Sequence, residues 1–322
     1  MVDRDQALRD AEQWFVRHGL PYFVQSERAI VERGLSRNRL LPVVGVALLV
    51  GAVVGVGSGL LLGDVSGGLV FGLWGAGGVL AVYAATTLRL RIIARWAAGR
   101  TLGSLALMFP LVTRALPLLM LFITFLFINT EVWMVASSLD PGVLTMAVMF
   151  FAALAVVFLL VRLPEEMDRV DDDTDTDRLV ARTEGTPVGH CAREVFDEIR
   201  EEDLCGVLEV AGLQKWNLVL VLLIAQFVQV LLLSIAVLVF FLVFGTVVMQ
   251  PAVVGSWLGA KGPVDVTEPL LKVSVFLAGF SGLYFTVTAV TDETYRAQFF
   301  TSVVRELERA VAVRAIYRTL SR

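Results

Sequence analysis

The hydrocarbon core of a bilayer is about 30 Å thick, and an α-helix needs roughly 20 apolar residues to cross it. Six stretches of this chain meet that requirement, near 41–62, 68–88, 116–138, 142–162, 217–248 and 270–290. No other feature narrows the possible folds as much. In hydrocarbon a segment must satisfy its own backbone hydrogen bonds, so runs of this length predict helices. The expected fold class is all-α, a polytopic membrane helix bundle of about six transmembrane helices plus amphipathic cytosolic helices. Composition agrees, with 57% hydrophobic residues and a mean hydropathy of +0.74.

The positive residues give an orientation. The chain of 322 residues holds 24 Arg and 3 Lys, and the Arg cluster between the apolar runs. With both termini in the cytosol, every Arg and Lys215 are cytosolic. The outer loops then keep only Lys261, with Lys272 at the edge of the last run. This asymmetry predicts a multi-pass plasma-membrane protein with cytosolic N- and C-termini, and an even number of spans. The net charge of -4 and the spacing of the Arg clusters exclude a nucleic-acid partner and imply the lipid bilayer instead. Residues 1–39 are polar and charged, so no cleavable leader is expected. Cys191 and Cys205 both lie in a charged segment, which fits a reducing compartment.

The chain divides into a cytosolic N-terminal amphipathic segment (1–39), four helices with an interfacial segment at 92–115 (40–163), an acidic cytosolic loop (164–215), helices five and six (216–291) and a cytosolic C-terminal amphipathic helix (292–322). The fifth run, from Trp216 to Met249, would be about 51 Å long as one helix, so it must tilt or project into the cytosol. Phe299, Phe300, Val303, Val304, Leu307 and Val311 recur at helical spacing near the C-terminus. Such a helix is expected to lie against the inner membrane face or its own bundle, with a protein partner as the sharper alternative.

Gly51, Gly55, Gly59 and Gly63 repeat every fourth residue in the first run, and Gly68 and Gly72 follow in the second. Small residues at that spacing let two backbones approach closely, within one subunit or between two copies. In the acidic loop, counting from Asp173 places Asp173, Asp175 and Asp177 at positions one, three and five of a calcium loop, with Glu184 at twelve. Arg178 stands where the turn needs glycine, so a solvated acidic linker is the plainer reading. No histidine lies in any apolar run and no Gly-X-Ser-X-Gly elbow occurs. Enzymatic activity, a cofactor and any other metal are therefore not expected.

Glu131 carries the main functional expectation. If the third helix covers 116–138, Glu131 lies about 6 Å outward of its middle, inside a half-thickness of about 15 Å. A carboxylate there must be protonated, paired or facing a wet cavity. Lys272 is the partner it could reach across the bundle. Asn129, Thr124, Gln226 and Gln229 are further candidates for a polar or permeation path, with interhelical hydrogen bonding as the competing reading.

RALPLLMLFITFLFINTEVW, KWNLVLVLLIAQFVQVLLL and SGLYFTVTAVTDETYRAQFF resemble segments of a family of actinobacterial integral membrane proteins. That resemblance implies location but no mechanism or site residues. The leading expectation is a channel or transporter for a small ion or solute, centred on Glu131. The alternative is a non-transporting scaffold or regulatory protein that recruits a cytosolic partner through its loop and terminal helices.

Overall fold

The computed structural model describes residues 4–103, 120–170, 176–198, 210–291 and 308–320. Among the described residues the fold is all-helical. Five helices are long and apolar enough to cross a membrane, α3 (Arg37–Leu62), α4 (Val65–Thr86), α8 (Pro141–Val170), α11 (Leu213–Val248) and α13 (Thr267–Thr291). They fall on five of the six apolar runs.

The sixth run departs from expectation. It is broken into α6 (Met120–Phe127) and α7 (Thr130–Ser138), which meet at a 72° bend. Among the described residues there are also the short helices α1 (Arg4–Arg17), α2 (Gln25–Gly34), α5 (Leu90–Gly103), α9 (Thr176–Thr183), α10 (Ala192–Glu198), α12 (Pro251–Trp257) and a last helix, α14, over 308–320. Within the interfacial segment expected at 92–115, α5 ends at Gly103, and Arg114 lies outside the described residues.

The bundle has two ends with separate cores. At the terminal end, Phe15, Phe23 and Ile316 pack with Leu163 of α8 and Leu218 of α11. At the far end, Phe127, Trp133, Phe241, Val254 and Val273 form the second core. Helix α4 finishes at the terminal end, where Tyr83 Oη donates to Gly34 O at 2.8 Å. Helix α8 starts at the far end, where a Cβ on Gly142 would lie 2.8 Å from Gly67 N beside the α3–α4 turn. Counting the bent α6–α7 pair as one span, the described residues hold up to six spans, and α1 and α14 share the core at the terminal end.

The α3–α4 hairpin is the tightest pairing. A Cβ on Gly68 would sit 2.8 Å from Gly55 O, and one on Gly72 would sit 2.8 Å from Gly51 O. Only glycine permits that approach. A Cβ on Gly59 would be looser, 3.7 Å from Gly68 Cα. Gly63, expected to extend the ladder, instead caps α3 in the left-handed region at φ +65, with open space around it. Its position just past the last apolar residue is a helix-stop signal. Asp64 then starts α4, accepting from Ser66 N at 2.9 Å and Gly67 N at 2.8 Å. The Ser66 hydroxyl, foremost, and the Gly67 amide hold the Asp64 carboxyl below the usual carboxylate range.

Candidate functional site

The stretch Phe125 to Trp133 was expected to run straight through the membrane interior. It is a helix stop followed by a helix start. Phe127 ends α6 beside the end of α11: a Cβ on Gly245 would lie 3.1 Å from the Phe127 ring. The break leaves the Phe127 carbonyl without a helical partner, and Trp133 Nε1 donates to it at 2.6 Å. Asn129 is the cap of α7: its Oδ1 accepts from Glu131 N at 2.8 Å and Val132 N at 3.2 Å. Glu131 lies in the first turn, where the helix dipole favours a negative charge. Its side chain is exposed. The expectation that Glu131 sits near the middle of a continuous helix is thus corrected. The oxygen of Asn129, a residue expected to line a path, is committed to capping α7.

Lys272 does not reach Glu131. Its Nζ lies 2.9 Å from Glu268 Oε1, one helical turn back, and donates to Ser137 O at 3.3 Å. Ser137 is in the last turn of α7, where a cation complements the dipole. Thr124 is half-buried in α6 and its carbonyl accepts from Ile128 N at 3.1 Å.

Gln226 and Gln229 are buried in α11, at 3% and 9% exposure. Gln226 Nε2 has no hydrogen-bond partner among the described residues. A cavity of about 240 Å³ between α8, α11 and α13 is lined by Val148, Ala152, Phe227, Leu231 and other apolar side chains, with Ser234 as its one hydroxyl.

Among the described residues the most elaborate polar construction is the cap at the terminal end. Asn217, fully buried in α11, accepts from Tyr22 N at 2.9 Å and donates to Gly19 O at 2.9 Å. Tyr22 Oη donates to Leu88 O at 2.7 Å, and burial raises its pKa to about 12. From α14, the buried Arg314 donates through Nε to Gln214 Oε1 at 2.7 Å. Tyr317 Oη donates to Glu12 Oε1 at 2.7 Å, and its ring meets Phe15 edge to face. Arg182 of α9 pairs with Glu308 at 2.8 Å, and Arg309 Nη2 donates to Glu184 O. The first turns of α11 project into this cap, which accounts for its excess length. Helix α14 is seated on its own bundle, with Val313 and Ile316 fully buried. Phe299, Phe300, Val303, Val304 and Leu307 lie outside the described residues.

Only part of the calcium frame lies within the described residues. Asp173 and Asp175 lie outside the described residues, whereas Asp177 is in α9, which turns the second half of the frame into helix up to Thr183. A calcium loop needs those positions to wrap around an ion. Among the described residues no group of three His, Cys, Asp or Glu is placed to hold a metal.

Length and hydropathy of the helices suggest a multi-pass membrane protein. No protein family model, curated protein or solved structure matches the chain. The likeness to actinobacterial membrane proteins rests on the three quoted stretches alone.

Proposed function

We propose that the protein is a non-enzymatic membrane scaffold or regulatory protein, anchored by its bundle in the plasma membrane and acting through the cap on the cytosolic side. The observation that carries this reading is the Asn217 clamp with the Arg314–Gln214 and Tyr317–Glu12 contacts, which join both chain ends and the intervening loop into one folded body. Buried polar contacts of this kind rigidify and specify a structure when they are satisfied. Permeation, by contrast, needs polar groups along a path. The Glu131 side chain is exposed in the first turn of α7, Lys272 is engaged by Glu268 and Ser137, and the cavity beside α11 is apolar.

A second reading, permeation of a small solute, is favoured by one observation, the buried Gln226 amide nitrogen without a hydrogen bond. The two readings part in a paired experiment. Proteoliposomes holding the purified chain are expected to pass no protons, alkali cations or chloride above empty vesicles. A photo-crosslinking residue at Asp10 or Glu194, both exposed on the cap, is expected to trap a protein in native membranes. Flux that disappears in Gln226→Leu, with no trapped protein at either position, would overturn the scaffold reading.

A further inference from the structure

From Arg33 to Thr130 the chain carries eight arginines and a single acidic residue, Asp64. Asp64 lies in the α3–α4 turn at the opposite end of the bundle. The acids nearest to these arginines in sequence are already engaged. Glu27 holds Arg89 at 2.7 Å, and Glu32 is paired with Arg28 at 3.8 Å. Arg33, Arg37, Arg39, Arg91 and Arg95 are all exposed, and among the described residues no carboxylate pairs with any of them.

Three contacts bring these arginines together although they come from two parts of the chain. Tyr83 Oη donates to Gly34 O at 2.8 Å, Tyr22 Oη donates to Leu88 O at 2.7 Å, and Arg89 bridges to Glu27. The end of α2, the start of α3 and the start of α5 therefore converge on one corner. Ile93 and Ala97 turn one face of α5 inward, at 0% and 1% exposure. Arg91 and Arg95 lie two positions from Ile93 on either side, on the outward face. The corner is also where the apolar hairpin stops. Leu35 and Leu41, at 40% and 59% exposure, interleave with the arginines. A mixed collar of exposed leucine and of arginine without a carboxylate partner among the described residues suits the boundary between acyl chains and headgroups. It is a poor fit to bulk water, where the leucines gain nothing.

We propose that this arginine collar binds the phosphates of anionic phospholipid headgroups and so holds the cap against the membrane surface. Guanidinium forks match phosphate oxygens bidentately, which a lysine ammonium does not, and clusters of four or more basic residues beside a membrane helix are sufficient for anionic-lipid recognition. The proposal rests on the membrane reading above.

The test uses the full chain in bicelles of equal phosphatidylglycerol and phosphatidylcholine, with retained lipid counted by native mass spectrometry. Wild type is expected to retain phosphatidylglycerol over phosphatidylcholine by about tenfold, falling as salt is raised. Replacing all five arginines with Gln should bring the ratio near one. Replacing them with Lys should leave a reduced preference, and Arg9→Gln/Arg17→Gln on α1 should leave it whole. Absence of any preference in wild type at low salt overturns the proposal whether or not the variants fold. So does an unchanged ratio in a folded five-Gln variant, or equal competition by millimolar inorganic phosphate. Alkaline carbonate extraction separates this failure from failure of the membrane reading. If the chain stays in the membrane pellet but shows no lipid preference, only the collar is refuted; if it is released, the membrane anchor is refuted as well.

Discussion

Glu131 lies at the start of the nine-residue helix α7 and Lys272, from α13, reaches its other end, so the two side chains do not touch. Glu131 is in the first turn of α7 behind the Asn129 cap, and the Lys272 ammonium meets a carbonyl of its last turn. Each charge complements the helix dipole at its own end. Glu131→Gln is therefore expected to cost at most about 1 kcal/mol of stability. Asn129→Ala should cost more, about 1 kcal/mol for the lost cap with the freed amides added, while Asn129→Asp should be tolerated. Thermal unfolding in detergent orders the three variants. If Glu131→Gln were the most damaging, the assignment of Asn129 as the organising residue would be wrong.

The glycine hairpin gives a sharper contrast. A Cβ at Gly68 would meet Gly55 O at 2.8 Å and Gly59 Cα at 3.0 Å, both backbone atoms that cannot rotate away. Gly68→Ala is expected to force the helices apart and destabilise the hairpin by about 1–3 kcal/mol. Gly57 and Gly77 have open space around the added carbon. Their alanine variants should be neutral or stabilising by up to about 1 kcal/mol, because alanine is the better helix former. Resistance to denaturing detergent on a gel distinguishes the two classes, and equal losses at all three sites would refute the packing model.

Five apolar runs were legible as helices because hydropathy reads burial in lipid directly. The sixth was read as straight because hydropathy is blind to capping. Phe125 to Val135 is apolar enough to look continuous, yet Asn129 followed by Glu131 is a helix-start signature, and it outweighs a neighbourhood of Phe, Ile and Val. The Lys272 partner was also in the sequence, as Glu268 four residues earlier. Gly63 could have been separated from its ladder by noticing that Asp64, a helix-starting residue, follows it. The cap could not have been read in the same way. Asn217 and Tyr22 are 195 positions apart, and no periodicity links a buried amide to a distant backbone.

The Asn217 clamp yields a prediction about the cap alone. Asn217→Ala would strand the Tyr22 amide and the Gly19 carbonyl in a fully buried place, at about 1–3 kcal/mol for each group. The N-terminal segment should then loosen from the base of α11. Trypsin is expected to cut at Arg9 or Arg17 many times faster in the variant, while its retention in membranes is unchanged. Asn217→Asp keeps the acceptor for Tyr22 but loses the donor to Gly19, so it should fall between the two. A cleavage rate equal to wild type in Asn217→Ala would show that the clamp does not hold the segment.

Alkaline pH should open the same cap by a separate route. Burial raises Tyr22 to about 12. Tyr317 is also raised, by burial first, then by its hydrogen bond to Glu12 and the charge of that carboxylate. In both cases the fold favours the neutral phenol. A raised acid of this kind contributes stability that is complete below the unfolded tyrosine value of about 10 and is lost as pH climbs through the folded value. The cap is therefore expected to be unaffected from neutrality to about pH 10 and to loosen between there and about pH 12. Tyrosinate absorbance and trypsin sensitivity should rise together across that window. Tyr317→Phe removes the bond to Glu12 but cannot ionise, so it should start weaker at neutral pH and show a smaller alkaline loss. Loosening of wild type that is already complete below pH 10 would mean that the phenols are not what closes the cap.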